Sequence, residues 1–226
     1  MNILFNIIAT GYYYEKFATP LIDSLKQNTF NRAKKDFLVF SDNRKLQGSD
    51  NFIPHLPWPL NTLLRFNYML RFIKFYENYD YIYYLDSDML VVKNIDNELL
   101  PDASGLVGVQ HPLQRREIIG HRPSFEDNKN SAAFLPESTS EIYFQGCLFG
   151  GNKKSFIDLV TTLNERTNLD LKANLIAKWW DESHLNWYFN TCYKPRILSS
   201  DYCYPEAFPN LGLNPKILHL DKRNIN

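Results

Sequence analysis

Apolar positions along this chain follow two rhythms, and their alternation predicts its elements. Residues 2–9 are apolar at nearly consecutive positions, as in a strand covered on both faces. The Thr10-Gly11 pair then turns the chain into a helical spacing at Tyr13, Phe17, Leu21, Ile22 and Leu25. A second strand over 36–40 ends on Ser41-Asp42. Strand, helix, strand in that order predicts an α/β unit with a parallel sheet, whose ligand crevice opens at the carboxyl ends of the strands. Thr10 to Tyr13 and Asp42 then line it. Pro57-Trp58-Pro59 enforces an extended loop, after which Asn61 or Thr62 caps a helix through Leu63, Phe66, Met69, Leu70 and Ile73.

The run at 81–92, YIYYLDSDMLVV, is again apolar on successive positions, but it breaks on Asp86 and Asp88 and then resumes. Further strands are predicted over 105–111, 143–149, 196–198 and 217–220. Gly150-Gly151-Asn152 leads into a helix through Phe156, Leu159, Val160 and Leu163. Trp179-Trp180-Asp181-Glu182-Ser183-His184 opens another, with Leu185, Tyr188 and Phe189 facing inward. Residues 114–131 have no periodicity and read as a surface loop, with a ligand-covering lid as the sharper alternative.

Composition narrows the class. Basic and acidic residues balance at 25 each without a long single-sign run, which argues against nucleic acid or an anionic membrane as main partner. The apolar start is too short to span a bilayer and lacks the basic opening of a signal peptide, so a soluble, cytoplasmic protein without membrane anchor is expected. Three cysteines without a Cys-x-x-Cys pair suggest neither a disulfide framework nor a zinc knuckle.

The chemistry gathers where carboxylates meet apolar sequence. Charge at the edge of a core needs a cation or hydrogen-bond donors. If the chain stays extended, Asp86 and Asp88 point to one side and share a hard divalent cation; the plain alternative is a strand end with two solvated aspartates. Arg65 reads as an exposed helix residue or as a cation leaning toward that pair. Asp181 and Glu182 suit the first turn of a helix, yet beside Trp179 and Trp180 they also make a surface for a sugar.

These stretches, taken in order, resemble glycosyltransferase family 6, the retaining α1,3-galactosyl and N-acetylgalactosaminyl transferases that include the histo-blood group A and B enzymes. The resemblance runs through Ile8-Ala9-Thr10-Gly11-Tyr12-Tyr13, residues 61–66 and 81–88, His111-Pro112, Ala133-Phe134-Leu135-Pro136-Glu137, Phe149-Gly150-Gly151, and residues 179–186 and 198–204. It implies a single GT-A catalytic domain over 1–226, α/β with a central mixed, mostly parallel sheet flanked by helices. It also implies a UDP-sugar donor, a glycan or small saccharide acceptor, and Mn²⁺, with Mg²⁺ as the alternative, on Asp86 and Asp88.

By the same resemblance, Glu182 is the catalytic carboxylate. Ile8, Thr10, Tyr13, Arg65, Asp86, Gln145, Gly146, Cys147, Asp181 and Lys222 belong to the donor site, and His111, Trp179 and Trp180 to the acceptor site. Trp180 departs from the histidine of many relatives. Cys147 stands where small residues select the donor sugar, which favours galactose over N-acetylgalactosamine, with glucose also open. Lacking the anchor and stem of the vertebrate enzymes, the chain resembles a metal-dependent bacterial or phage member. A UDP-sugar hydrolase with weak transfer and a non-catalytic, metal-dependent sugar-binding module remain the rival readings.

Overall fold

A computed structural model describes residues 1–43, 51–137, 142–208 and 210–224. Six strands form the central sheet: β1 (Asn2–Ile8), β2 (Lys34–Phe40), β3 (Tyr81–Asp86), β5 (Leu106–Gln110), β6 (Phe144–Asn152) and β7 (Arg196–Leu198), in the order β2-β1-β3-β6-β5-β7. Only β6 runs against the others, so the sheet is mixed and mostly parallel, flanked by helices in a GT-A fold.

The consecutive apolar residues of β1 and β3 serve two cores at once. Ile3, Phe5, Ile7, Tyr83 and Leu85 face the layer that holds Leu21 and Leu25 of α1 (Thr19–Asn28). Leu4, Ile82 and Tyr84 face the opposite layer, with Phe66 and Met69 of α3 (Arg65–Leu70), Phe156 and Leu163 of α6 (Lys153–Lys172) and Phe189 of α7 (Trp180–Thr191). Each such side chain contributes about 1.5–3 kcal/mol by leaving water. Both faces are therefore spent on packing, and chemistry is confined to the strand ends.

Several elements differ from the expected ones. The single helix foreseen through Leu63 to Ile73 is three short pieces, α2 (Leu60–Leu63), α3 and α4 (Ile73–Tyr76), because the backbone leaves helical geometry at Leu64 and Phe72. Asn61 does not cap; its side chain donates to Thr10 Oγ1 and accepts from the Tyr68 hydroxyl. The 81–92 run is not one extended strand. The chain turns at 87–88, and β4 (Met89–Val91) joins a smaller sheet with β8 (Tyr204–Pro205) and β9 (Ile217–His219).

The strand expected over 143–149 runs on through Gly150 and Gly151, which lie inside β6. A Cβ on Gly150 would sit 2.5 Å from the Ile82 carbonyl oxygen, and one on Gly151 2.0 Å from that of Gly105. Residues 114–131 contain a short helix, α5 (Arg116–Ile119), and are fastened rather than lid-like. Ser124 O accepts the Trp179 indole N–H at 2.7 Å, Glu126 accepts the Lys178 amide at 2.5 Å, and the Ser131 hydroxyl donates to buried Asp170 at 2.6 Å.

Candidate active site

A cleft of about 580 Å³ opens at the carboxyl ends of β1 and β3, walled by β6, the start of α7, the loop 55–59 and the C-terminal segment. Its key device is a β-bulge. The β5–β6 register jumps from Gly108↔Phe149 to Val109↔Gln145, which leaves residues 146–148 without partners on β5. Both backbone groups of Gly146 are thereby released into the cleft.

One corner uses them directly. The Gly146 amide donates to Glu182 Oε2 at 2.7 Å, and its carbonyl accepts from Arg65 Nη1 at 2.8 Å. Arg65, only 4% exposed, also places Nε 2.9 Å from Asp181 Oδ2 and Nη2 3.5 Å from Asp86 Oδ1, while its guanidinium lies 4.5 Å from the centre of the Tyr84 ring. The Tyr84 hydroxyl donates to Asp86 at 2.7 Å. Asn186 pins α7 to β6 by exchanging hydrogen bonds with both backbone groups of Phe144 at 2.8 Å, and within α7 it also donates to the Glu182 carbonyl. Arg65 is thus neither exposed nor centred on the Asp86–Asp88 pair: it is a buried cation that reaches Asp86 and pairs more closely with Asp181.

Burial pushes both Asp181 and Glu182 up to about 7. For Asp181 the Arg65 guanidinium pulls the other way; for Glu182 the Gly146 amide, the Tyr143 hydroxyl and Arg65 do. Burial alone would lower Arg65, but Asp181, Tyr84 and Asp86 hold it firmly protonated. Burial first, and then the crowding of three carboxylates around one guanidinium, keeps a proton on the Asp181–Glu182 pair until near neutrality.

The other corner is the 86–88 turn. Asp86 and Asp88 do converge, through the turn and not through strand alternation, and His219 joins them: one ligand atom from each lies within 4.8 Å of the others. Antiparallel pairing of β4 with β9 sets Met89 opposite His219, and the Leu220 amide donates to the Asp88 carbonyl at 2.8 Å. Asp88 Oδ2 is buried with no aligned hydrogen bond, although Lys222 Nζ lies 2.8 Å and His219 Nε2 3.3 Å away. Burial would raise Asp88, yet His219 and Lys222 hold it well below the usual carboxylate range.

The remaining walls are aromatic and polar. Tyr13 lies under Lys222, whose Nζ is 5.4 Å from the ring centre, and Thr10 Oγ1 is bonded to His55 Nδ1 at 2.9 Å. Trp180 meets Trp58 edge-on at 4.1 Å, whereas Trp179 and Trp180 meet edge to face at 6.2 Å and do not stack.

Of the residues singled out in the sequence, Ile8, Thr10, Tyr13, Arg65, Asp86, Asp88, Gln145, Gly146, Cys147, Trp179, Trp180, Asp181, Glu182 and Lys222 all line this cleft. His111 is not among the lining residues. It packs edge-on against Tyr143, and its Nδ1 accepts from the Leu113 amide at 3.0 Å; burial lowers it to about 4. Asp42 is likewise absent from the wall, its carboxylate accepting from the Gly11 amide. Sequence reasoning missed His55, Trp58 and His219 as lining residues. Trp58, 68% exposed between two prolines, carried a signal in that unusual setting; a single histidine in the alternating ILHL of β9 carried none.

Among the described residues no helix is long and apolar enough to cross a membrane. A sequence model of Glycosyltransferase family 6 matches residues 61–221. The O-antigen biosynthesis glycosyltransferase WbnI of Escherichia coli is 34% identical over 98% of this chain and 94% of its own length. The globoside alpha-1,3-N-acetylgalactosaminyltransferase 1 of Gallus gallus is 27% identical over 87% of this chain, which spans 60% of that protein. The alpha-1,3-galactosyltransferase 2 of Homo sapiens is 30% identical over 45% of this chain and 32% of its own length.

Proposed function

The chain belongs to glycosyltransferase family 6, and from that premise we propose that it is a retaining, metal-dependent hexosyltransferase. It moves a hexose, galactose before N-acetylgalactosamine or glucose, from a UDP-sugar to a hydroxyl of a glycan acceptor in α1,3 linkage, with residues 1–226 acting as one catalytic domain. The observation that carries this reading is the placement of Arg65. It pairs at once with Asp86 at the candidate metal corner and Asp181 at the acid pair, so a diphosphate and a sugar find their complementary charges in one cleft.

The donor set suits a divalent ion. Asp86 and Asp88 offer oxygens, Asp88 Oδ2 is buried beside Lys222 and His219 with no aligned hydrogen bond among the described residues, and an imidazole nitrogen from His219 favours Mn²⁺ over Mg²⁺. Held by these residues, such an ion would supply positive charge to the departing UDP. The chain's own residues supply the rest. Tyr13, Thr10 and Ile8 offer a ring and a hydroxyl to the uridine, and Asp181 offers carboxylate oxygen to the sugar hydroxyls. Glu182, steadied by the Gly146 amide, faces the anomeric carbon, either as a transient nucleophile or as the charge that stabilises an oxocarbenium-like species.

Galactose is put first because Cys147, which lines the cleft on the bulged segment, takes up space that the acetamido group of N-acetylgalactosamine would need. The α1,3 linkage follows the names of the Gallus gallus and Homo sapiens relatives.

The test is a panel of UDP-sugars with plain and fucosylated galactosides, scored by UDP release and product mass. Product from UDP-galactose that disappears with chelator is expected. UDP release without product would make the chain a hydrolase, and full activity in chelator would remove the metal. Thermal stabilisation by free sugars but not by UDP would favour a binding module.

A further inference from the structure

Gln145 stands between the two corners of the cleft. The next residue, Gly146, serves the acid pair through its backbone, while the Gln145 side chain places Nε2 3.1 Å from Nδ1 of His219. Its Oε1 is buried and accepts no hydrogen bond among the described residues. On the far side of the imidazole, Nε2 lies 3.3 Å from Asp88 Oδ2.

These contacts fix a tautomer. An amide NH₂ only donates, so Nδ1 must accept, and the neutral ring carries its proton on Nε2, the nitrogen nearer Asp88. In that form the ring cannot ligate, because the lone pair an ion needs is occupied by a proton. Transfer of the proton to Nδ1 frees Nε2. A half-turn of the Gln145 amide then offers Oε1 to the new Nδ1–H and gives that oxygen the partner it lacks.

We propose that Gln145 is the positioning residue of the metal corner, its amide deciding which nitrogen of His219 holds the proton and hence whether His219 joins Asp86 and Asp88 around a divalent cation. The proposal rests on the metal reading above. It acts through the ligand's other nitrogen, where a hydrogen-bonding partner orients a metal-bound histidine and raises its basicity.

The experiment is Mn²⁺ titration of the purified chain without donor, read from the electron paramagnetic resonance signal of free Mn²⁺. Gln145→Leu, which offers no partner, is expected to weaken binding by about 10- to 100-fold. Gln145→Glu, which can only accept, is expected to tighten it. In a His219→Ala background, Gln145→Leu should make no further difference. Unchanged binding in both single variants, or a Gln145→Leu effect that persists without His219, overturns the proposal while leaving the metal reading intact. A wild-type chain that binds no Mn²⁺ removes both.

Should Gln145→Leu lose cooperative unfolding, the wild-type ring decides. With Zn²⁺ as a diamagnetic probe, the ¹⁵N shifts of His219 should place the proton on Nδ1, and without metal on Nε2. The same tautomer in both states overturns the proposal.

Discussion

Asp181 and Glu182 lie in the first turn of α7, and the groups that answer them belong to the packed body: Arg65 from α3 and the Gly146 amide from bulged β6. Asp86 and Asp88 lie at a turn, and what answers Asp88 comes from the C-terminal segment, His219 and the half-exposed Lys222. The acid corner is held by burial, which makes its geometry ready before any ligand arrives and makes each partner costly to remove. The metal corner is held by charges, one of them on a flexible side chain open to water, and such pairs are weak and exchangeable. One cleft thus combines a fixed half with an adjustable half.

Glu182→Gln should have the largest effect. It keeps an oxygen for the Gly146 amide but removes the charge, so turnover should fall by about 10³-fold, within the range for a catalytic carboxylate, with UDP binding nearly unchanged. Single-turnover rates and calorimetry with UDP check it. Equal losses of turnover and UDP affinity would mean that Glu182 holds the cleft together and does not act in the reaction. Next comes Arg65→Ala, which strands buried Asp181. Breaking such a pair costs about 3–5 kcal/mol in urea unfolding. A cost under about 1 kcal/mol, the value of an exposed pair, would erase the contrast between the corners.

The two corners should also answer pH in opposite directions. Asp181 and Glu182, raised by burial to about 7, bind protons more tightly folded than unfolded, so their contribution is present at acid pH and lost as pH rises toward 7. Asp88 is held low, so its contribution is present above about pH 4, the unfolded carboxylate value, and is lost as pH falls below it. Buried His111 and His184, both lowered to about 4, work the other way over part of this range, so the acid corner is read by difference: between about pH 5 and pH 8 the metal-free wild type should lose on the order of a few kcal/mol of stability relative to Asp181→Asn. A constant difference over that interval would show that burial does not govern the acid corner.

The same division explains what the sequence made legible. β1 and β3 were readable because unbroken apolar runs have one good solution, burial on both faces. Arg65, Asp86, Asp88, Asp181 and Glu182 stood out as charges set into apolar surroundings, and the cleft does bring them together. The turn at 87–88 was not readable, because it depends on β4 pairing with β9 at the far end of the chain. For the same reason His219 was missed. Nor did any pattern announce the bulge that frees Gly146, since a glycine there fits an ordinary strand, a turn or a ligand contact equally well.

Lys222 offers the smallest and most pointed test of the adjustable half. Its Nζ lies 2.8 Å from Asp88 Oδ2, where it supplies the positive charge that an ion among Asp86, Asp88 and His219 would otherwise bring. Its side chain is 49% exposed, so water screens that end of the pair although Asp88 is buried, and the pair is worth on the order of 1 kcal/mol. Lys222→Met should therefore tighten Mn²⁺ binding in the absence of donor by about fivefold, the factor that such an energy represents. The same substitution should weaken UDP binding in the presence of Mn²⁺, because a cation released from Asp88 is free to meet the diphosphate. Both affinities can be measured on one preparation. If Mn²⁺ binding weakens instead, Lys222 supports the ion rather than standing in for it, and the C-terminal segment belongs with the fixed half of the cleft.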